Sequence, residues 1–466
     1  MIPQQLSDFF IGGILFAAII PVFQKRRAEA DDQEASKDIS ALLNISFVIL
    51  MTITVLFYLS VPFITKLVFS GFNDEKLLIT IRYSRMLSPA ILLFGFSLIY
   101  TSLYHAFRDF FVPSFAALMF PATSIAAICF LPSSLGIERL IYGNIAGTSL
   151  GLILLFIFMR KRISYKWNWN LKNPLITATI LVSWPVLFEN IFLKIIPLIK
   201  NKIASELPLN GAITITELAL FVIGSITIFI SGPISTAIFP FMGQQQAEKK
   251  QSELFETFIK STNVILLFAT PFNVILLTQS DILTEILYGY GKFSDADSLI
   301  TSRLIMIMSL TILPRCIQSV LGRMFFVLQA TRFPSFVSIG TVITTWPIYF
   351  VMARFFGIYG LMGALTLMTI FGALINLVIL KIKFIDYSLS GLYWSFTKVV
   401  LSGIIMGSTV FLIRLTLGVI TSYPIIDFCL FSFAGISTYA IFCRLLKLKE
   451  LEYIVCAFLK TFKNSN

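Results

Sequence analysis

AIIPVFQKRRAE, residues 18–29, returns as AIFPFMGQQQAE at residues 237–248. The 219-residue offset holds without a gap when 10–65 is laid on 229–284. Twelve of the 56 pairs are identical: Phe10, Ile11, Gly13, Ala18, Ile19, Pro21, Ala28, Glu29, Glu34, Asn44, Val55 and Thr65 with their counterparts. After a gap of two residues, Pro113-Ser114-Phe115 matches Pro334-Ser335-Phe336. A long internal period is a statement about architecture and is read before any motif. Composition then says what is repeated. Of 466 residues 57% are hydrophobic and 13% charged, and mean hydropathy is +0.88, whereas a soluble domain is about one quarter charged. A soluble enzyme, a disordered chain and a secreted disulfide scaffold are excluded.

A bilayer core of about 30 Å needs about 20 apolar residues per helix. Thirteen stretches qualify: 2–23, 41–65, 85–106, 110–131, 138–159, 174–197, 211–240, 255–279, 299–328, 334–355, 358–380, 393–417 and 424–444. Spanning β-strands would be short alternating segments, so the fold class is an all-α polytopic membrane protein. With loops sorted alternately, the side holding 24–40 collects 21 Lys and Arg and the opposite side 11, four more lying inside segments. The positive-inside rule then places 24–38 and the C-terminus in the cytoplasm, and topology accounts for part of the net charge of +12.

One repeat unit holds six spans, an even number, so both halves cross the membrane in the same sense. Parallel repeats of this kind occur in secondary transporters, with a midplane cleft between two bundles. The expected organisation is an N-terminal lobe (1–160), a C-terminal lobe (161–383), and two extra helices with a tail (384–466).

Catalytic chemistry has few candidates. Cys129, Cys316, Cys429, Cys443 and Cys456 show no CxxC spacing and read as small apolar residues. His105, the single histidine, has no partner His and reads as interfacial. HExxH and Walker patterns are missing from the sequence, so no cofactor, metal or nucleotide is expected. Gly12, Gly13, Gly357, Gly360 and Gly363 read as close helix packing. Charge inside the spans is the remaining lead, because a lone charge at midplane costs ~2.5–3.5 kcal/mol or more and usually faces a cavity or a partner. The candidates are Asp8, Glu189, Lys194, Glu217, Arg315, Arg323, Lys398 and Arg414. For Lys194, Arg315, Lys398 and Arg414 a snorkelling side chain or a local ion pair is the plainer reading.

YGYGKFSDADSLITSRL (288–304) resembles the GxFxxxDxxxT loop and following Arg of MurJ/MviN-type lipid II flippases. The likeness extends through HAFRDFFVPSFAALM (105–119), STAIFPFMGQ (235–244), GRMFFVLQATRFPSF (322–336) and YGLMGALTLM (359–368), over about 2–445. It implies two six-helix lobes of the MATE-like superfamily plus two C-terminal helices that form a groove for a lipid tail. The thirteen stretches equal that fourteen-span plan without its first helix, which, as the repeat partner of 174–197, would start about 45 codons before Met1. The implied substrate has an undecaprenyl tail, a pyrophosphate and a sugar–peptide head. The implied partners are that lipid, membrane lipids and cell-wall synthesis proteins, with no nucleic acid, in the bacterial inner membrane.

The family places arginines in the cleft. Here Ser7 or Asp8 stands at one such position, while Phe221 and Leu220 replace an Arg and its acidic neighbour at another. The substrate-binding set expected is therefore Ser7, Asp8, Glu189, Lys194, Glu217 and Arg323, with Lys398 and Arg414 flanking the lipid groove. A flippase for another polyprenyl-linked glycan, such as an O-antigen unit, and a non-transporting scaffold stand as alternatives.

Overall fold

The computed structural model describes residues 32–107, 109–160, 163, 165–170, 195–384, 390–418, 423–448 and 450–451. Stretch 2–23 and all but the end of 174–197 lie outside them. The chain divides into two compact units, Met1–Glu206 and Leu207–Asn466. The first holds α1 (Asp32–Val68), α2 (Asp74–Leu87), α3 (Pro89–Ala106), α4 (Phe111–Phe130) and α5 (Glu138–Met159). In the second lie α6 (Ala212–Ala247), α7 (Gln251–Tyr288), α8 (Asp295–Ser309), α9 (Ile312–Val327), α10 (Arg332–Phe384), α11 (Ser390–Leu417) and α12 (Pro424–Leu445). All regular structure among the described residues is helical. Nine helices there are long and apolar enough to cross a membrane, ten if α8 and α9, bent by 45°, form one broken span.

The repeat is visible helix by helix. Shifted by 219, α1 falls on 251–287, the extent of α7. Shifted by 221, the starts of α2 and α4 fall on those of α8 and α10, Asp295 and Arg332. For α2 and α8 the caps agree as well: Asn73 Oδ1 accepts the backbone N–H of Lys76 at 3.1 Å, and Ser294 caps α8 through Asp297 N–H at 3.2 Å. Acidic residues fill the first turn of both helices, against the positive helix end.

At 53 residues α10 is about 80 Å of helix, far more than one crossing needs. It breaks at Gly357 (φ 58°, ψ −137°). Gly136, 221 residues earlier, ends the turn between α4 and α5 with nearly the same angles (φ 53°, ψ −124°). Residues with a Cβ avoid that region, so one glycine-only turn joins corresponding helices in both halves. The expectation that Gly357 serves close packing is corrected accordingly: its site is open, as is that of Gly363, while Gly360 alone of the three sits against backbone, 2.0 Å from Met352 O to an added Cβ.

Close packing belongs instead to Gly143, Gly147 and Gly151, one face of α5, set on α4. A Cβ on Gly147 would lie 2.1 Å from Thr123 Oγ1 and 2.8 Å from Met119 O. The approach lets Thr123 donate to Gly143 O at 2.9 Å and Ser124 to Asn144 Oδ1 at 2.7 Å. Helices in lipid gain little from apolar burial, so close contact and interhelical hydrogen bonds hold such a seam.

The two C-terminal helices pack on α7. Gly403 of α11 brings an added Cβ within 2.7 Å of Thr270 Cγ2, and Tyr439 of α12 donates to Leu267 O at 3.0 Å. With α6, α8 and α9 packed on it as well, α7 has 72% of its apolar window buried, against 17% for its repeat partner α1.

Candidate functional site

The signature loop is a turn and a cap. Gly291 has φ +77°, so the first glycine of the motif is a left-handed position. The Phe293 ring lies 6.0 Å from that of Tyr288, the last residue of α7. Asp297 accepts from Ser294 N–H at 3.2 Å and from its hydroxyl at 2.7 Å, completing a capping box. Thr301 donates to Asp297 O at 2.7 Å. Each motif residue is accounted for by the α7–α8 connection, and Arg303 stands exposed beyond it.

Ser7, Asp8, Glu189 and Lys194 lie outside the described residues. Glu217 is half-buried near the start of α6, with Phe221 one turn on and 71% exposed. Arg323 on α9 is exposed, its guanidinium 5.4 Å from the ring centre of Phe239 near the other end of α6. Glu217 and Phe239 are 22 residues apart, on the order of 30 Å of helix, so these two candidates do not form one site. The Arg323–ring contact leaves the cation accessible to an anion.

Arg414 has the local ion pair anticipated as its plainer role. Its Nη2 lies 2.5 Å from Asp281 Oδ2 and its Nη1 3.1 Å from Oδ1, and Nη1 also donates to Thr278 O. The pair borders a cavity of about 740 Å³ that Glu285, Asp295 and Asp427 also line. Lys398 is half-buried on a second cavity of about 740 Å³. Leu267, Val274, Val399, Met406 and Tyr439, from α7, α11 and α12, form one buried apolar cluster.

Two asparagines, identical in the repeat alignment but not singled out as functional there, each line a cavity, with different walls. Asn44 faces one of about 850 Å³ with Tyr100, Arg160 and Trp167. Its Nδ2 donates to Asn168 O at 2.9 Å, and its Oδ1 accepts from the Tyr165 hydroxyl at 2.6 Å. Lys166 N–H donates to Ser40 Oγ at 3.0 Å, so 165–170 is strapped across α1. Asn263 faces the cavity beside Lys398. Its Nδ2 donates to Glu450 Oε1 at 2.7 Å, while its buried Oδ1 has no hydrogen-bond donor among the described residues. A shared polar identity inside an apolar span was the available signal.

At the end of α6, Glu248 accepts from Gln244 Nε2 at 2.8 Å and lies 2.9 Å from Lys250 Nζ. Its carboxyl is held below the ordinary carboxylate value by hydrogen bonds, first from Lys250, and the Lys250 ammonium is held above its own by the same contact.

The family model described as "Lipid II flippase MurJ" matches residues 1–428. The chain belongs to the MurJ family. A probable lipid II flippase MurJ of Buchnera aphidicola subsp. Acyrthosiphon pisum (strain APS) is 23% identical over 349 residues, 73% of this chain and 68% of the relative. Among solved structures, a lipid II flippase MurJ in an inward closed conformation superposes with a TM-score of 0.79 at 20% identity, covering 96% of this chain and 90% of the other. An inward-facing multidrug resistance MATE family transporter of the MOP superfamily gives 0.67 at 15% identity, with 82% and 90% covered. The MurJ assignment agrees with the flippase resemblance and with the two-lobe MATE-like plan. MurJ flippases handle lipid II, a polyprenyl-linked glycan lipid, and their place is in peptidoglycan and cell-wall synthesis.

Proposed function

We propose that this multi-pass membrane protein carries lipid II across the bacterial cytoplasmic membrane by alternating access of its two lobes, with 24–38 and the C-terminus in the cytoplasm. The match to the MurJ model over 1–428 carries this reading. Moving a dianionic pyrophosphate through hydrocarbon requires compensating charge at the path. Arg323, accessible above the Phe239 ring, and Lys194 supply it, with Ser7, Asp8, Glu189 and Glu217 as polar lining. Lys398 and Arg414 flank the tail-binding faces of α11 and α12, about 24 Å apart along α11, near the thickness of the hydrocarbon core. Transport is the whole activity, without a bond-making step. The test is expression of residues 1–466 in cells depleted of their own lipid II flippase. Restored growth without lipid II accumulation is expected. Accumulation at normal protein abundance would overturn the reading.

A further inference from the structure

The cavity beside Lys398 is built for both charges of one small group. It is bounded by α7, α11 and the turn after α12. Asn263 and Ser395, 3% and 7% exposed, each turn a buried oxygen, Oδ1 and Oγ, that has no hydrogen-bond partner among the described residues. The amide orientation of Asn263 is fixed, because its other end meets the Glu450 carboxylate, which only accepts. In the first lobe the corresponding oxygen, Asn44 Oδ1, takes the Tyr165 hydroxyl. The second lobe offers that acceptor and a carboxylate side by side, which calls for a donor carrying positive charge. Across the same cavity, Lys260 is held by Glu256 at 2.6 Å, whereas Lys398 and Lys447 have no ion-pair partner among the described residues.

Depth selects the class of ligand. Lys398 and Arg414 are 16 residues apart on α11, and Asn263 and Asp281 18 residues apart on α7. These are ~24 and ~27 Å of rise, so the cavity lies about one hydrocarbon thickness from the Arg414–Asp281 pair. That is headgroup level, where Trp394 at the cavity wall is also expected. An ammonium and a phosphate linked by two carbons fit the two sets of groups.

We infer that this cavity binds the headgroup of an aminophospholipid of the bilayer. The ammonium donates to Asn263 Oδ1 beside Glu450, and the phosphate is held by Lys398, Lys447 and the Ser395 hydroxyl. The site shares Lys398 with the edge of the proposed tail-binding faces, but its other groups lie off them, and it does not rest on which lipid the protein moves.

The full chain, purified in detergent, is titrated with phosphatidylethanolamine, phosphatidylglycerol and phosphatidylcholine of matched acyl chains, and bound lipids are counted by native mass spectrometry. Wild type is expected to retain one phosphatidylethanolamine more tightly than either of the others, since a trimethylammonium cannot donate and phosphatidylglycerol has no cation. Glu450→Gln is expected to weaken phosphatidylethanolamine on the order of tenfold, the loss of one charged hydrogen bond, without changing phosphatidylglycerol. Lys447→Gln, at an exposed position that cannot unfold the protein, weakens both. Equal retention of phosphatidylcholine, or variants that retain phosphatidylethanolamine as wild type does, would overturn the site. So would its one-for-one displacement by undecaprenyl pyrophosphate, which would make the cavity part of the substrate path.

Discussion

Asn44 and Asn263 occupy the same position of the repeat and meet different surroundings. In the first lobe a strap from the same lobe satisfies both ends of the amide. In the second, the two added helices bring Glu450 to one end and leave the other open. The helix that carries each residue differs too: α1 keeps most of its apolar window on the surface, while α7 is mostly buried, packed by α6, α8 and α9 as well as by α11 and α12. Duplication preserved the backbone devices, the caps at Asn73 and Ser294 and the turns at Gly136 and Gly357. It left the polar groups free to acquire partners from whatever packs beside them. Structural likeness between the lobes therefore says little about which lobe binds what.

The largest expected effect tests how far the lobes are interchangeable. With the Gly136 and Gly357 turns aligned, Gly147 of the tight α4–α5 seam corresponds to Met368, a half-buried residue. Grafting the second lobe's residue as Gly147→Met would drive a Cβ into Thr123 and the backbone of Met119 and Phe120. Overpacking costs about 1–3 kcal/mol where neighbours can move, and backbone cannot, so the upper end or loss of folded protein is expected. The reciprocal Met368→Gly should leave a monodisperse protein. Size-exclusion chromatography and thermal melting of both variants decide it. Equal tolerance would mean that the seams are equivalent after all.

A middle-sized effect compares the asparagines themselves. Asn44→Ala removes two hydrogen bonds and frees the strap, at about 2 kcal/mol, whereas Asn263→Ala removes one, at about 1 kcal/mol. Melting temperatures in one detergent should fall in that order. A larger drop for Asn263→Ala in lipid-free protein would show that its open oxygen is engaged by the protein.

Much of the fold was readable from the chain. The offset of 219, the caps and the apolar runs are local or periodic, and periodic information survives in sequence. Of the site, less was readable. Tyr165 reaches Asn44 across 121 residues, Glu450 reaches Asn263 across 187, and Arg414 reaches Asp281 across 133, and no spacing rule encodes contacts at such separations. The loop 288–304 was legible as a family mark, yet its residues are used for a turn and a cap. Glycine spacing misled in one place, since Gly357 makes a turn and Gly363 faces open space, while GNIAGTSLG (143–151) holds the close seam.

A smaller effect probes the charge that ties the added helices to α7. Arg414 and Asp281 are 28% and 57% exposed, so screening limits the pair to about 0.5–1 kcal/mol. A double-mutant cycle with Asp281→Asn and Arg414→Gln should return a coupling of that size, falling as salt is raised. A coupling several times larger, insensitive to salt, would mean that the pair sits in lower dielectric than its exposure indicates.

The smallest effect concerns the turn between α6 and α7, where Glu248 pairs with Lys250. Asp31 occupies the repeat position of Lys250, and Lys25 that of Gln244. Because Glu248 is held below its ordinary value in the folded chain, its contribution is present above the unfolded carboxylate value, about 4.3. It is lost as pH falls through the lower folded value. The Lys250 shift acts at the other end: its folded value is raised, so its contribution is complete below the unfolded lysine value, about 10.4, and disappears as pH rises through the folded one. Between these limits the turn should be indifferent to pH. Carbon-detected titration of Glu248 in wild type and in Lys250→Ala checks this, with an upward move of the Glu248 midpoint expected in the variant. An unchanged midpoint would assign the shift to Gln244 and remove Lys250 from the turn's electrostatics.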